Sequence, residues 1–187
     1  NGASNGFAGV IVGIRDIIQN TRDSWGATVR PVMDSRCAKV MLRGLETLEW
    51  RMRRSSANAL KIAEWLARQS KVKLVNYPLL SPKPFRNIVE RQMPNGAGPL
   101  LSFEVNGSWI EAWKWLDGTN HLILAPHIGH SKTIVIHPAT TTHWRVPCDT
   151  QVKLGITPSL LRMSDGTESD AELNLLFEEM DQLFAKI

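Results

Sequence analysis

The 187 residues carry 22 Lys and Arg against 18 Asp and Glu, a formal net charge of +4, and 43% of them are hydrophobic. That is an ordinary globular balance, with enough apolar surface for the core of one good-sized domain or of a large piece of something bigger. No apolar run approaches the roughly 20 residues of a membrane-spanning helix, and the opening "NGASNGFAGV" lacks the basic start and cleavage site of a signal peptide.

In chain order, "FAGVIVGI" (7–14) is a short apolar run bounded by glycines, which suits a buried strand. Residues 15–34 are polar and expected to be irregular, with Gly26 and Pro31 as breakers. A helix is predicted over 34–69. Asp34 is its N-cap, and Met41, Leu45, Leu48, Met52, Ala59, Ile62 and Leu66 recur at helical spacing. At 1.5 Å per residue it would run roughly 50 Å, long enough to tie two domains together. Its "RMRR" (51–54) is the densest basic run, and a solvated helix face is the better account of it. No aromatic–basic interleaving or known motif accompanies the charge, so no nucleic-acid partner is expected.

Beyond the helix, "KVKLVNY" (71–77) is a strand stopped by Pro78, "FRNIVERQM" (85–93) a short helix, and "LLSFEV" (100–105) an alternating strand. "SWIEAWKWL" (108–116) opens on a capping box, Ser108 with Glu111. "HLILAP" (121–126), "KTIVIH" (132–137) and "SLLRMS" (159–164) are further strands, and a second box, Ser169 with Glu172, opens the last helix. Strands interleaved with short helices predict an α+β layer, a small, largely antiparallel sheet with helices on one face.

The candidate chemistry is sparse. All five histidines, His121, His127, His130, His137 and His143, fall in one stretch. No HExxH and no interleaved acid accompanies them, so no metal site is expected. "HPATTTH" (137–143) is best taken as a turn whose hydroxyls satisfy local backbone. Neither GxSxG nor a phosphate-cradling glycine frame occurs. Cys37 and Cys148, without CxxC spacing, suggest free thiols in a cytoplasmic protein. Arg162, in "LLRMSDG", has three open explanations: a surface residue, a buried partner of an internal acid, or a fork presented to a carboxylate ligand.

Taken together, "RGLETLEWRMRRSSANALKIAEWL" (43–66), "VNYPLL" (75–80), "GPLLSFEVNG" (98–107), "IVIHPATTTH" (134–143) and "LGITPSLLRMSDGTE" (154–168) form an ordered set. With the terminal helix, the set resembles the C-terminal half of the pyridoxal-phosphate enzymes of cysteine and methionine metabolism. Within that family the likeness is greatest to O-acetylhomoserine sulfhydrylases, with methionine gamma-lyases and cystathionine gamma-synthases near. The resemblance implies an α/β PLP-dependent transferase of fold type I in the full protein. Residues 1–33 would be the tail of the cofactor domain, 34–69 the connecting helix, and 70–187 the α+β C-terminal domain.

"NGASNGFAGVIV" resembles the segment after the family's Schiff-base lysine, whose register puts that lysine three residues ahead of Asn1. Pyridoxal 5'-phosphate would therefore be held mainly by an N-terminal portion of the same protein, and this chain by itself would be inactive. The family's carboxylate-binding arginine falls on Arg162, and the turn that assists it on His127 to Gly129. The implied activity is γ-replacement or γ-elimination on a sulfur amino acid or activated homoserine, in a cytoplasmic homotetramer of paired dimers. An inert fragment or paralogue serving as an association module is the alternative. The chain departs from the family pattern at His127 (usually small and polar), Asp165 (usually apolar), Ala3 (usually His) and "DSR" (34–36, usually Ser-Pro-aromatic).

Overall fold

The computed structural model describes residues 9–28 and 33–187, which fall into two units, Asn1–Leu48 and Glu49–Ile187. Ala3 and the start of the glycine-bounded run lie outside the described residues. In the first unit, residues 9–14 form no strand, contrary to expectation. Val10, Ile11, Val12 and Ile14 are exposed. An extended segment cannot satisfy its own backbone, and no strand among the described residues runs beside this one. Nor is the following segment irregular: α1 spans Arg15–Thr28. Ile14, Ile17, Ile18, Thr21 and Trp25 recur at helical spacing, and the Thr21 hydroxyl donates to the Ile17 carbonyl at 2.7 Å.

The helix expected over 34–69 is two helices. Asp34 caps α2 (Ser35–Glu46), its Oδ1 accepting from the amides of Arg36 at 2.9 Å and Cys37 at 3.0 Å. The chain leaves helical geometry at Thr47 (φ −109°, ψ 6°), and α3 runs Leu48–Leu66. A β-branched residue three positions after Gly44 is a poor place to continue a helix.

The second unit is built on a five-stranded sheet of β1 (Val72–Asn76), β2 (Leu100–Val105), β3 (Ile123–Leu124), β4 (Ile134–Ile136) and β5 (Leu160–Ser164). Its order is β1-β2-β5-β4-β3. The pairs β1–β2, β2–β5 and β5–β4 are antiparallel and β3–β4 is parallel, so the sheet is small and largely antiparallel, as expected. The register of β1 shifts between Val72 and Leu74, a bulge at Lys73, whose ammonium pairs with the buried Glu104 carboxylate at 2.9 Å. The short helices are α4 (Phe85–Gln92), α5 (Trp109–Asp117) and α6 (Cys148–Lys153); α7 (Asp170–Phe184) closes the chain.

Period-2 alternation decides what each strand contributes. Leu101, Phe103 and Val105 of β2, Val135 of β4 and Leu161 and Met163 of β5 pack with Ala59, Ile62 and Leu66 of α3, Trp115 of α5 and Leu176, Met180 and Phe184 of α7. Phe103 meets Trp115 edge-on, ring centroids 5.4 Å apart at 73°. The intervening residues, Ser102, Arg162 and Ser164, belong to the opposite face. Burial of the first set fixes where the second set points.

The basic run at 51–54 is divided between a solvated helix face and a tertiary contact. Arg53 pairs with Glu49, and Arg54 donates through Nε to the Glu168 carbonyl at 2.9 Å and through Nη2 to Asp170 at 3.2 Å. At the start of α7 the Ser169 hydroxyl accepts from the Glu172 amide, while Glu172 Oε2 accepts from the Ser169 amide at 2.8 Å. Lys132 Nζ also donates to Glu172 at 2.6 Å, and this bond, ahead of those from Ser169, pulls the carboxyl down to about 2. Ser169→Ala should lower unfolding free energy by about 1 kcal/mol, measured by urea denaturation. A change under a few tenths would show the cap to be idle.

Candidate substrate-carboxylate site

Arg162 sits mid-sheet, opposite Ser102 of β2 and Ile136 of β4. Ser102 in turn faces Asn76 of β1, and the Asn76 amide donates to the Ser102 hydroxyl at 3.2 Å. A row of polar side chains thus runs across β1, β2 and β5 on the face turned away from the helical core. The guanidinium is half-buried. Its Nη2 donates to the His127 carbonyl at 3.4 Å, a long bond, and its Nε is out of solvent with no hydrogen-bond partner.

No acid forms an ion pair with Arg162 among the described residues. Burial is what pulls its pKa below the ordinary value, and the group stays charged across the working range. Among the described residues Arg162 is thus neither fully exposed nor paired with an acid. A charge taken partly from water with a donor unspent is costly. It suits an anion supplied from outside, and a carboxylate matches the fork.

The turn at 127–129 lies beside it. Gly129, at φ +73°, donates its amide to the Ser164 hydroxyl at 3.1 Å, so the turn is tied to β5 at Arg162 and again at Ser164. Arg162, His127 and Gly129, singled out in the sequence, are thus brought together. His127 contributes its carbonyl, and its imidazole is exposed. Ser164 was not singled out, although it shares the face of Arg162 two residues on, a relation period 2 makes legible.

Asp165 does not compete for the arginine. It is fully buried beyond the end of β5, its amide donating to the Pro99 carbonyl at 2.8 Å. Burial, then the neighbouring Glu168, raises its pKa well above the usual carboxylate range.

The histidines disperse into local bonds. His121 Nδ1 lies 3.0 Å from Glu179, and His130 Nδ1 accepts from the Lys132 amide at 3.0 Å. His137 is buried between Thr140 and the Pro158 carbonyl, 2.8 Å from each. Among the described residues no three His, Cys, Asp or Glu are placed to share a metal ion. In "HPATTTH" the Thr141 hydroxyl donates to the His137 carbonyl at 2.7 Å, and the Gln151 amide donates to the carbonyls of His143 and Val146 at 2.8 and 3.0 Å. That segment is a pinned turn.

The sequence pattern of the Cys/Met metabolism PLP-dependent enzyme family matches residues 1–182. The chain is 35% identical over 172 residues to the O-succinylhomoserine sulfhydrylase of Pseudomonas aeruginosa, covering 90% of this chain and 41% of that protein. It is 35% identical over 176 residues to the O-acetyl-L-homoserine sulfhydrylase of Leptospira meyeri, covering 92% and 39%. The chain therefore spans about two fifths of the length of these curated relatives.

Among solved structures, one match is a Campylobacter jejuni protein assigned as an O-acetylhomoserine (thiol)-lyase, which carries N'-pyridoxyl-lysine-5'-monophosphate. It superposes with TM-score 0.82 at 31% identity over 93% of this chain and 41% of its own. Cystathionine gamma-lyase of Lactobacillus plantarum, complexed with L-serine, superposes with TM-score 0.86 at 26% identity over 100% and 48%.

Proposed function

Because this chain belongs to the Cys/Met metabolism PLP-dependent enzymes, we propose that it forms the substrate-carboxylate side of an enzyme performing γ-replacement or γ-elimination on an activated homoserine or a related sulfur amino acid. The single observation that carries the reading is the buried, unpartnered Nε of Arg162 in a site with no pairing acid. An amino-acid carboxylate fits that vacancy in hydrogen bonding.

In this reading residues 1–33 close the cofactor domain, 34–69 connect, and 70–187 form the C-terminal domain. In this reading pyridoxal phosphate is held mainly by an N-terminal portion of the same protein, which carries the Schiff-base lysine. The bound cofactor supplies the electron sink. Arg162 grips the acid end of the substrate and so fixes where its Cα–H stands, a contribution of orientation. The His127–Gly129 turn holds the guanidinium to its line through the His127 carbonyl and the Gly129–Ser164 bond. The enzyme assembles as a homotetramer of paired dimers in the cytoplasm. No helix of the described residues is long and apolar enough to cross a membrane.

The test is made on the intact protein, incubated with pyridoxal phosphate and assayed with O-acetyl- and O-succinylhomoserine plus sulfide. Expected are the visible absorbance of lysine-bound cofactor and release of a thiol amino acid. A folded protein that shows neither would be an association module.

A further inference from the structure

The turn joining β5 to α7 contains a cluster of polar groups that the carboxylate site does not use. Both carboxyl oxygens of Asp165, Glu168 Oε2 and Asn58 Oδ1 are buried without a hydrogen-bond partner. Yet the backbone around them is tightly held. The Gly166 amide donates to the Thr133 hydroxyl at 3.0 Å, the Thr167 amide to the Ser131 carbonyl at 2.8 Å, and the Thr133 amide to Glu168 Oε1 at 2.5 Å. Asn58 Nδ2 donates to the carbonyls of Gly166 and Glu168 at 3.1 Å each. The segment 131–133 thus fastened begins two residues after Gly129, so one turn secures both the end of β5 and the segment that follows the His127–Gly129 turn.

We propose that Asp165 is a proton-dependent positioning residue for Arg162: the turn stays seated only while Asp165 is a neutral acid, and its ionisation loosens the grip on a substrate carboxylate. The proposal rests on the reading of Arg162 as the carboxylate clamp. Its basis is the setting: an acid wholly buried, with neither carboxyl oxygen hydrogen-bonded among the described residues.

Among the described residues, the charged and titratable groups around the turn are engaged elsewhere. The Tyr77 hydroxyl donates to the carbonyls of Ser56 and Gly98, and burial raises it to about 12. Arg54 is committed to Glu168's carbonyl and Asp170, and Lys132 to Glu172. Glu168, the remaining acid, repels a second negative charge. A neutral carboxylic acid carries no charge into this buried turn. An ionised one adds a charge that must seek water, and the route to water is to lift the turn.

The sign follows from linkage. Below the ordinary aspartate pKa of about 3.9, folded and unfolded chains both carry the proton. As pH rises, the unfolded chain releases it first, so stability falls with pH until the folded group also ionises.

The experiment uses the intact, cofactor-loaded protein at pH values from about 6 to 9.5, with infrared spectroscopy for protonated carboxyls and calorimetric binding of L-alanine as the probe. Expected is a protonated-carboxyl band near neutral pH that Asp165→Asn lacks. L-alanine affinity in the unmodified protein should fall on the alkaline side by about tenfold more than in Asp165→Asn, whose thermal midpoint should also vary less with pH. The unmodified protein lacking the band, or Asp165→Asn following its pH profile, would overturn the proposal. Arg162→Ala separates the two readings. If it binds L-alanine undiminished, the carboxylate clamp fails and with it this coupling, whereas its loss of binding with an unchanged Asp165→Asn profile defeats the coupling alone.

Discussion

Replacing Arg162 by lysine in the intact, cofactor-loaded enzyme is expected to lower kcat/KM by about tenfold or more, roughly 1.4 kcal/mol of transition-state binding. Lysine retains a cation but has a single point of donation where arginine has a planar fork. The lost Nε–H is the donor that the fold leaves without a partner. Partial burial also favours the uncharged amine, a penalty lysine feels and arginine resists. Stability should respond oppositely. Arg162→Leu removes a half-buried charge paired with no acid, so it should leave the unfolding free energy unchanged or raise it by about 1 kcal/mol while abolishing carboxylate capture. Steady-state kinetics beside urea denaturation reads both. Unimpaired catalysis in Arg162→Lys would take the residue out of the site.

Gly166→Ala is expected to be the most damaging small change in the chain, costing about 3 kcal/mol or more. A Cβ at this position would stand 2.6 Å from the Lys132 carbonyl carbon and 2.7 Å from its Cα, and would strike the Ser131 carbonyl oxygen as well. These are backbone atoms of the segment entering β4, not the yielding end of a side chain. Relief requires the two chain segments to part, which breaks the Gly166–Thr133 and Thr167–Ser131 bonds together. Thermal and urea unfolding measure the loss; a cost below about 1 kcal/mol would mean the turn is loosely packed after all.

How much of this was legible beforehand varied with the kind of signal. The capping boxes at Ser108 and Ser169 were readable because the interaction is local and complete within four residues. Strands β2 and β5 were readable because burial on one face enforces alternation. The apolar residues 9–14 form no strand because hydrophobicity reports burial and not the partner that provides it. The break at Thr47 escaped because apolar spacing continues straight through it. The assembly of Arg162, His127 and Gly129 came from resemblance to a family. Nothing in their separation of more than thirty residues states that the Gly129 amide meets Ser164. The deep burial of Asp165 was invisible, since its flanking Ser and Gly mark an open polar turn while long-range packing encloses it.

The margins of the sheet bear on self-association. On one side β1 is kinked at Lys73 and ends ahead of Pro78, which has no amide hydrogen to give; on the other, β3 is two residues long. Neither rim offers a straight ladder of unpaired peptide groups, so strand-on-strand stacking into fibrils is disfavoured at both. Any contact between copies at these rims would form through complementary side chains, which can be selected one residue at a time.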